Sequence, residues 1–133
     1  MAAIYGIGVD LVEIQRIAGV LERQGEAFLR RALNEDELSV YRERSLSSPE
    51  RGLRYLALRF AAKEAFSKAM GTGIGGVVGF HLLSVLNDEK GMPYIALSGD
   101  LKLKCEELRL QVFVSLSDEV HYVIAQVIIS KSG

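Results

Sequence analysis

The chain has 133 residues, of which 49% are hydrophobic and 25% charged, as in an ordinary globular domain and unlike a disordered protein. The net charge of -1 excludes a general nucleic-acid binder, and no apolar run reaches the roughly 18 residues of a membrane-spanning helix. The length suits one domain, residues 1–133, and the lone Cys105, at helical spacing from Leu101 and Leu108, suits a buried thiol in a reducing cytoplasm.

The chain is predicted to begin with one strand and one helix. Residues 3–9 are apolar and β-branched, and the glycines at 6 and 8 indicate that another element approaches this backbone closely. Asp10 is expected to end the strand, and with Glu13 three residues later it has the pattern of a helix N-cap. Apolar residues then recur at helical spacing from Ile14 to Leu21.

The helical block is predicted to continue to Met70. A helical pattern covers residues 28–41, with an interruption near Asn34, and residues 45–52 (SLSSPERG) are expected to form a surface loop. The next helix covers about 51–70 and stops at Gly71. Between Leu38 and Lys68 there are seven cations and three acids, which suits either a solvated face or a site for an anion.

The second half of the chain is predicted to be mainly strands. Residues 80–86 and 94–97 flank the turn sequence NDEKGMP, and residues 112–116 and 122–129 flank SDEV, which indicates two hairpins. Ser98 is expected to cap a helix through Leu108 between them. The predicted fold class is therefore α+β: an N-terminal strand and a helical block, followed by mainly antiparallel strands.

The glycine-rich stretch GTGIGG, residues 71–76, matches the G-x-G-x-x-G pattern of dinucleotide-binding folds. In those folds the pattern follows a strand and opens a helix, whereas here it follows a helix, so we reject that interpretation. The stretch suits either backbone N–H donors to a phosphate or an ordinary turn.

Four charged residues are candidates for chemistry, and three of them also have a simpler explanation. Glu64 and Lys68 form a favourable i, i+4 helix pair, and Asp10 suits a helix cap. Together, Asp10 and Glu64 suit two carboxylate ligands of Mg²⁺, with Lys63 and Lys68 neutralising substrate phosphates, as in phosphoryl transfer. The two histidines at 81 and 121 lack partners at metal-ligand spacing and are expected to be structural.

Two segments resemble the signatures of holo-acyl-carrier-protein synthases, the 4'-phosphopantetheinyl transferases of bacterial fatty-acid synthesis. They are IYGIGVDLVEIQRI (4–17) and RFAAKEAFSKAMGTGIG (59–75), and the likeness continues through GMPY to HYVIAQVII. The resemblance implies the phosphopantetheinyl transferase fold in its short form, a cytoplasmic homotrimer with sites between subunits. It also implies transfer of 4'-phosphopantetheine from coenzyme A to a serine of apo-acyl carrier protein, with release of 3',5'-ADP.

The resemblance also implies roles for particular residues. Asp10 and Glu64 would hold Mg²⁺, and Glu64, or a metal-bound water that it orients, would accept the serine proton. Lys68 would contact the pyrophosphate of coenzyme A. Further contacts to coenzyme A would come from Arg59, Gly71, Thr72, Gly73 and Pro93. Arg16 and Arg23 on the first helix would dock the acidic carrier protein.

Two positions depart from the family pattern. Phe113 stands where many members have a histidine, and Met92 replaces the lysine of a Gly-Lys-Pro turn. A catalytic role of that histidine therefore cannot be carried over to this chain. Both changes bear on the affinity for coenzyme A, and neither affects the two carboxylates. Two alternatives to the transferase stay open on the sequence alone, namely a non-catalytic module that binds coenzyme A or a nucleotide, and a structural trimer built on the alanine-rich helix.

Overall fold

The computed structural model describes residues 2–71 and 79–133. Its elements are β1 (Ala2–Glu13), α1 (Ile14–Gln24), α2 (Glu26–Ala32), α3 (Glu35–Ser47), α4 (Pro49–Met70), a 3-10 turn (Phe80–Leu82), β2 (Leu83–Asn87), β3 (Pro93–Leu97), α5 (Gly99–Glu107), β4 (Leu110–Asp118) and β5 (Tyr122–Ser132). The predicted α+β class and the order of its elements are confirmed. No helix of the described residues is long and apolar enough to cross a membrane.

The strands form two antiparallel sheets. β1, β5 and β4 lie side by side in that order, and β2 and β3 form a separate hairpin, so both predicted hairpins are confirmed. The first strand pairs with the last, with Asp10 opposite Ala125. The residues of β5 that face inward are fully buried and belong to one core with α4; they are Val123, Ala125, Val127 and Ile129.

The backbone of β1 rests directly on the backbone of α4. A Cβ atom built on Gly6 would lie 1.8 Å from the carbonyl oxygen of Ala69, and one built on Gly8 would lie 1.9 Å from that of Ala65. The close approach predicted from these glycines is therefore confirmed. β1 and α4 run in opposite directions, since Gly6 meets Ala69 and Gly8 meets Ala65. Asp10, two residues beyond Gly8, therefore lies next to the part of the helix that carries Glu64.

Two expectations about element boundaries are wrong. β1 continues through Asp10 to Glu13, so Asp10 is a strand residue, and the N-cap of α1 is Glu13 without a side-chain cap. The expected loop over residues 45–52 is absent, because α3 runs to Ser47 and α4 begins at Pro49. Proline fits the first turn of a helix, where its missing N–H has no intrahelical partner.

Other boundaries follow the sequence more closely. Gly71 ends α4 in the left-handed conformation, at φ 79°, and Asn34 interrupts the helical block as the N-cap of α3. Residues 80–82 form a 3-10 turn before β2, which shortens the predicted strand. Ser98 is the N-cap residue of α5, but its hydroxyl donates to the carbonyl of Leu82 and not to the helix; Cys105 is buried, as predicted.

Candidate active site

A cleft of about 740 Å³ lies between β1, α1, α2, α4 and the chain at 79–81. One part of its wall is polar and contains the charged side chains of Asp10, Glu64, Arg16 and Arg31 together with His81. The rest is mainly apolar, with aromatic rings from α2, α4 and the 3-10 turn. Two carboxylates, among the residues singled out in the sequence, therefore face one cavity together with cationic side chains.

Asp10 presents one paired and one unpaired oxygen. Its Oδ1 accepts a hydrogen bond from Lys68 Nζ at 3.0 Å, and the same ammonium donates to the carbonyl of Val9 at 3.1 Å. The Asp10 side chain is 15% exposed, and its buried Oδ2 has no hydrogen-bond partner in the described chain. A buried carboxylate oxygen without a partner is costly, so Oδ2 is suited to a ligand that the protein itself does not supply.

Glu64 is half-buried on α4, one turn before Lys68. Burial raises the pKa of Glu64, the negative charge of Asp10 raises it further, and Lys68 opposes both effects. The two acids therefore repel each other, and one ammonium is shared between them. Among the residues that the structure describes, the ion pair of Lys68 is with Asp10, not with Glu64.

The carboxylates fit a hard divalent cation. Such an ion would pair with the free oxygen of Asp10 and would relieve the repulsion between the two acids. No group of three or more histidine, cysteine or acidic side chains that could hold a metal occurs in residues 2–71 and 79–133. The protein would thus provide two carboxylates, a number that is typical of Mg²⁺ sites completed by water and substrate phosphates.

Lys63 does not join Lys68 beside Asp10, so its predicted role in neutralising phosphates is wrong. Its side chain is fully buried, and Nζ lies 2.5 Å from Glu37 Oε1, 2.9 Å from the carbonyl of Ala32 and 3.0 Å from that of Phe80. Burial lowers the pKa of the Lys63 ammonium, and Glu37 opposes this. The sequence does contain a signal for this burial, because Lys63 is spaced seven residues from both Leu56 and Met70, which are buried on one helical stripe.

Arg59 is also inside the protein and is not among the residues of the cleft wall. It is 7% exposed, donates to the carbonyl of Val85 at 3.2 Å, and stacks its guanidinium 4.0 Å from the ring centre of Tyr55. Arg44 covers the same ring at 4.9 Å. The Nε of Arg59 is buried and has no hydrogen-bond partner in the described chain.

The other predicted residues are dispersed. Arg16 lines the cleft, Arg23 is exposed in the last turn of α1, and Pro93 begins β3 opposite Asn87. Gly71 follows α4 directly, whereas Thr72 and Gly73 lie outside the described residues.

The two histidines have separate surroundings. His81 lines the cleft with a ring nitrogen in contact with the carbonyl of Arg30. His121 is exposed, and its carbonyl accepts from the N–H of Ile14 at 2.8 Å, where α1 begins. His81, which was expected to be structural, is therefore placed beside the candidate site.

Comparisons with known proteins agree with this arrangement. The model of the 4'-phosphopantetheinyl transferase superfamily matches residues 6–127. The holo-[acyl-carrier-protein] synthase of Variovorax paradoxus (strain S110) is 44% identical over 128 residues, which are 96% of this chain and 98% of the relative. The crystal structure of holo-[acyl-carrier-protein] synthase from Neisseria meningitidis is 39% identical, with a TM-score of 0.85 over 96% of this chain and 98% of that one. The Bacillus anthracis synthase in complex with CoA (3',5'-ADP) is 36% identical, with a TM-score of 0.80 over 97% of this chain and 98% of that one. The chain therefore belongs to the 4'-phosphopantetheinyl transferase superfamily.

Proposed function

We propose that this chain is a holo-acyl-carrier-protein synthase that acts in the cytoplasm as one domain, in fatty-acid synthesis. It transfers 4'-phosphopantetheine from coenzyme A to a serine of apo-acyl carrier protein and releases 3',5'-ADP. The activity named for its relatives supports this reaction. The single observation that carries it here is that Asp10 and Glu64 line one cleft, with Lys68 bonded to Asp10.

Asp10 and Glu64 are proposed to hold Mg²⁺. The unpaired Oδ2 of Asp10 and the mutual repulsion of the two acids support this choice, because both are relieved by a cation. Bound there, the ion would neutralise the pyrophosphate of coenzyme A and orient it toward the serine.

Glu64 is also proposed as the acceptor of the serine proton. The serine oxygen forms a bond to the β-phosphorus of coenzyme A, the bond from that phosphorus to the bridging oxygen breaks, and the electron pair leaves with 3',5'-ADP. Glu64 lines the cleft together with Asp10, so its carboxylate, or a metal-bound water that it orients, would be placed to take this proton. Lys68, whose ammonium already faces Asp10, would stabilise the negative charge that develops on the leaving group.

The remaining contacts to coenzyme A are proposed at Arg59, Gly71, Thr72, Gly73 and Pro93. The assignment of Arg59 follows the family resemblance, since its guanidinium is 7% exposed and is bonded within the chain to the carbonyl of Val85. Gly71 lies directly after the helix that carries Glu64 and Lys68.

Arg16 and Arg23 are proposed to dock the acidic carrier protein. They lie seven residues apart on α1, and thus two turns apart on one face, and both are exposed. Arg16 also lines the cleft, so a carrier bound along this face would present its serine at the candidate site.

The assembly is proposed to be a homotrimer with active sites between subunits. The outer face of the three-stranded sheet carries large apolar side chains with 39% to 63% exposure, namely Ile7, Val9, Leu11, Phe113 and Ile124. A contiguous apolar face of this kind is typical of a surface that is covered in the assembly.

The test is the intact mass of a purified apo-acyl carrier protein after incubation with this protein and coenzyme A, with Mg²⁺ or with EDTA. We expect a gain of one phosphopantetheine only with the metal. Glu64→Gln should abolish the gain, while the matched exposed change Glu107→Gln on α5 should retain it. Coenzyme A binding without transfer to several carriers would instead favour the binding module, and retained transfer by Glu64→Gln would contradict the metal assignment.

A further inference from the structure

The buried ion pair of Glu37 and Lys63 joins five parts of the fold, namely α2, α3, α4, the 3-10 turn and β2. Both side chains are at most 2% exposed. Lys63 uses all three of its N–H donors, on Glu37, on the end of α2 and on Phe80. Glu37 accepts in addition from the N–H of Asn34 at 3.1 Å and from that of Val85 at 3.1 Å.

One of these bonds reaches the wall of the candidate site. Phe80 and Gly79 both line the cleft that contains Asp10 and Glu64. The carbonyl of Phe80 is held by Lys63, and its ring packs edge-on against Phe60 at 5.8 Å. Lys63 and Phe60 lie on one turn of α4, just before Glu64. They hold Phe80 by its carbonyl and by its ring, respectively.

We propose that the Glu37–Lys63 pair is a positioning device for coenzyme A, holding the Gly79–Phe80 wall of the cleft at a set distance from Glu64. The inference rests on the proposed function, because that function assigns coenzyme A to this cleft. Glu37 and Lys63 are positioning residues and touch no substrate.

Energetic considerations favour positioning over stabilisation alone. Removing two charges from water is costly, and replacing a buried ion pair by apolar side chains of similar volume is often neutral or stabilising. A chain that required only a stable core at this place could use an apolar pair. The ionic pair adds what an apolar pair lacks, namely directed bonds to the backbone at Phe80, Ala32 and Val85.

The test compares the wild type with the double variant Glu37→Met/Lys63→Met, with Glu37→Gln and with the single change Lys63→Met. Glu37→Met/Lys63→Met removes the charges at similar volume, and Glu37→Gln keeps the shape but removes the charge and one acceptor. Calorimetry gives the Kd for coenzyme A, kinetics gives the KM for coenzyme A and for apo-carrier, and thermal scans give the unfolding temperature. Val127→Ala, on the inner face of β5, is the control for a weakened core.

We expect the double variant to unfold at a higher temperature than Lys63→Met alone. It should nevertheless bind coenzyme A about tenfold or more weakly than the wild type, because a stable core does not return the displaced wall of the cleft to its position. The KM for apo-carrier should change less than twofold in each variant, because the proposed docking residues Arg16 and Arg23 lie on α1, and the hydrogen bonds of the pair in the described chain do not reach α1. Glu37→Gln should weaken coenzyme A binding in the same direction, and Val127→Ala should lower only the unfolding temperature.

A wild-type Kd for coenzyme A in the double variant and in Glu37→Gln would overturn the inference. If the double variant does not fold, Glu37→Gln decides alone. A wild-type protein that binds no coenzyme A would instead refute the proposed function, so the two failures are distinguishable.

Discussion

Lys68 Nζ lies 3.0 Å from Asp10 Oδ1, and this bond connects the last turn of α4 to the strand that crosses it. Glu64, one turn earlier on the same helix, shares this ammonium only at longer range. The site thus has two acids and one close cation. A second cation would therefore bind favourably at the two acids. The Lys68 ammonium contacts Asp10, one of the two proposed metal ligands.

Lys68→Met should lower kcat for phosphopantetheine transfer by about 100- to 1,000-fold, because a cation that stabilises the leaving group is lost. Removing the ammonium also leaves the two carboxylates unshielded, so Mg²⁺ should bind to the free variant more tightly than to the wild type. Stopped-flow kinetics and calorimetry with MgCl₂ measure the two effects. Weaker Mg²⁺ binding by Lys68→Met would contradict the proposed metal position, and Lys68→Arg serves as the variant that keeps the charge.

The stability of the metal-free protein should depend on pH through Glu64. Burial and Asp10 raise the pKa of Glu64 above its usual 4.5, so the folded protein holds this proton more tightly than the unfolded chain does. The stability that the proton provides is complete below the unfolded pKa and is lost as pH rises through the folded value. Glu64→Gln has no such proton to lose.

In EDTA, the unfolding temperature of Glu64→Gln minus that of the wild type should therefore grow as pH rises from about 4 to about 7. Thermal scans at several pH values measure it. Saturating Mg²⁺ should reduce or reverse the difference, because the ion binds only the folded wild type. A difference that shrinks with rising pH in EDTA would show that Glu64 is stabilised as a carboxylate in the free protein.

Gly8→Ala should destabilise the protein by about 3 kcal/mol or more. The new Cβ would lie 1.9 Å from the Ala65 carbonyl oxygen, and the backbones of β1 and α4 cannot move apart without losing their packing. The matched control is Gly19→Ala, a helical position where the new Cβ meets only the flexible end of Arg23 at 3.3 Å. That change should stabilise α1 by about 0.5 to 1 kcal/mol. Urea unfolding of both variants measures the contrast, and equal stabilities would contradict the close packing of β1 on α4.

The sequence predicted this packing and the identity of the two acids. Gly6 and Gly8 on an apolar strand indicate a close neighbour, and the types of Asp10 and Glu64 indicate a cation site. What the pattern could not decide was which local structure Asp10 adopts. An acid followed three residues later by Glu13 fits a capping box as well as a strand end, and the choice depends on pairing with β5, more than 100 residues away.

The orientation of the two lysines shows a similar limit. Lys63 and Lys68 lie five residues apart on one helix, so they point in directions roughly 140° apart. The spacing separates their faces, but it does not reveal that Lys63 has a buried carboxylate partner, because Glu37 is 26 residues earlier on another helix. A lysine on an apolar stripe is usually predicted to be exposed unless such a partner is known.

Arg16→Glu should raise the KM for apo-carrier by at least about tenfold, because it places an acid against an acidic partner, and should leave coenzyme A binding within about twofold. Steady-state kinetics with each substrate varied in turn measures the split. The dependence of kcat/KM on salt should also weaken, since a steering charge is lost. Arg109→Glu, at the far end of the sheet before β4, is the charge-matched control and should leave both constants unchanged. An equal rise in both KM values would place Arg16 in coenzyme A binding.

Ile7→Glu should convert the proposed trimer into smaller species, because it introduces a charge into the centre of the apolar outer sheet face. Ile7 is 57% exposed in the isolated chain and stands opposite Ile128, which in turn stands opposite Phe113, so the three form one row across the sheet. Burying an unpaired carboxylate there costs several kcal/mol per interface, enough to dissociate a moderate complex.

Light scattering after gel filtration measures the mass. Leu103→Glu, with 63% exposure on α5, carries the same charge on another surface and should leave the assembly intact. Transfer should fall together with the trimer if the sites lie between subunits, and a fully active Ile7→Glu monomer would show that one chain completes the site alone.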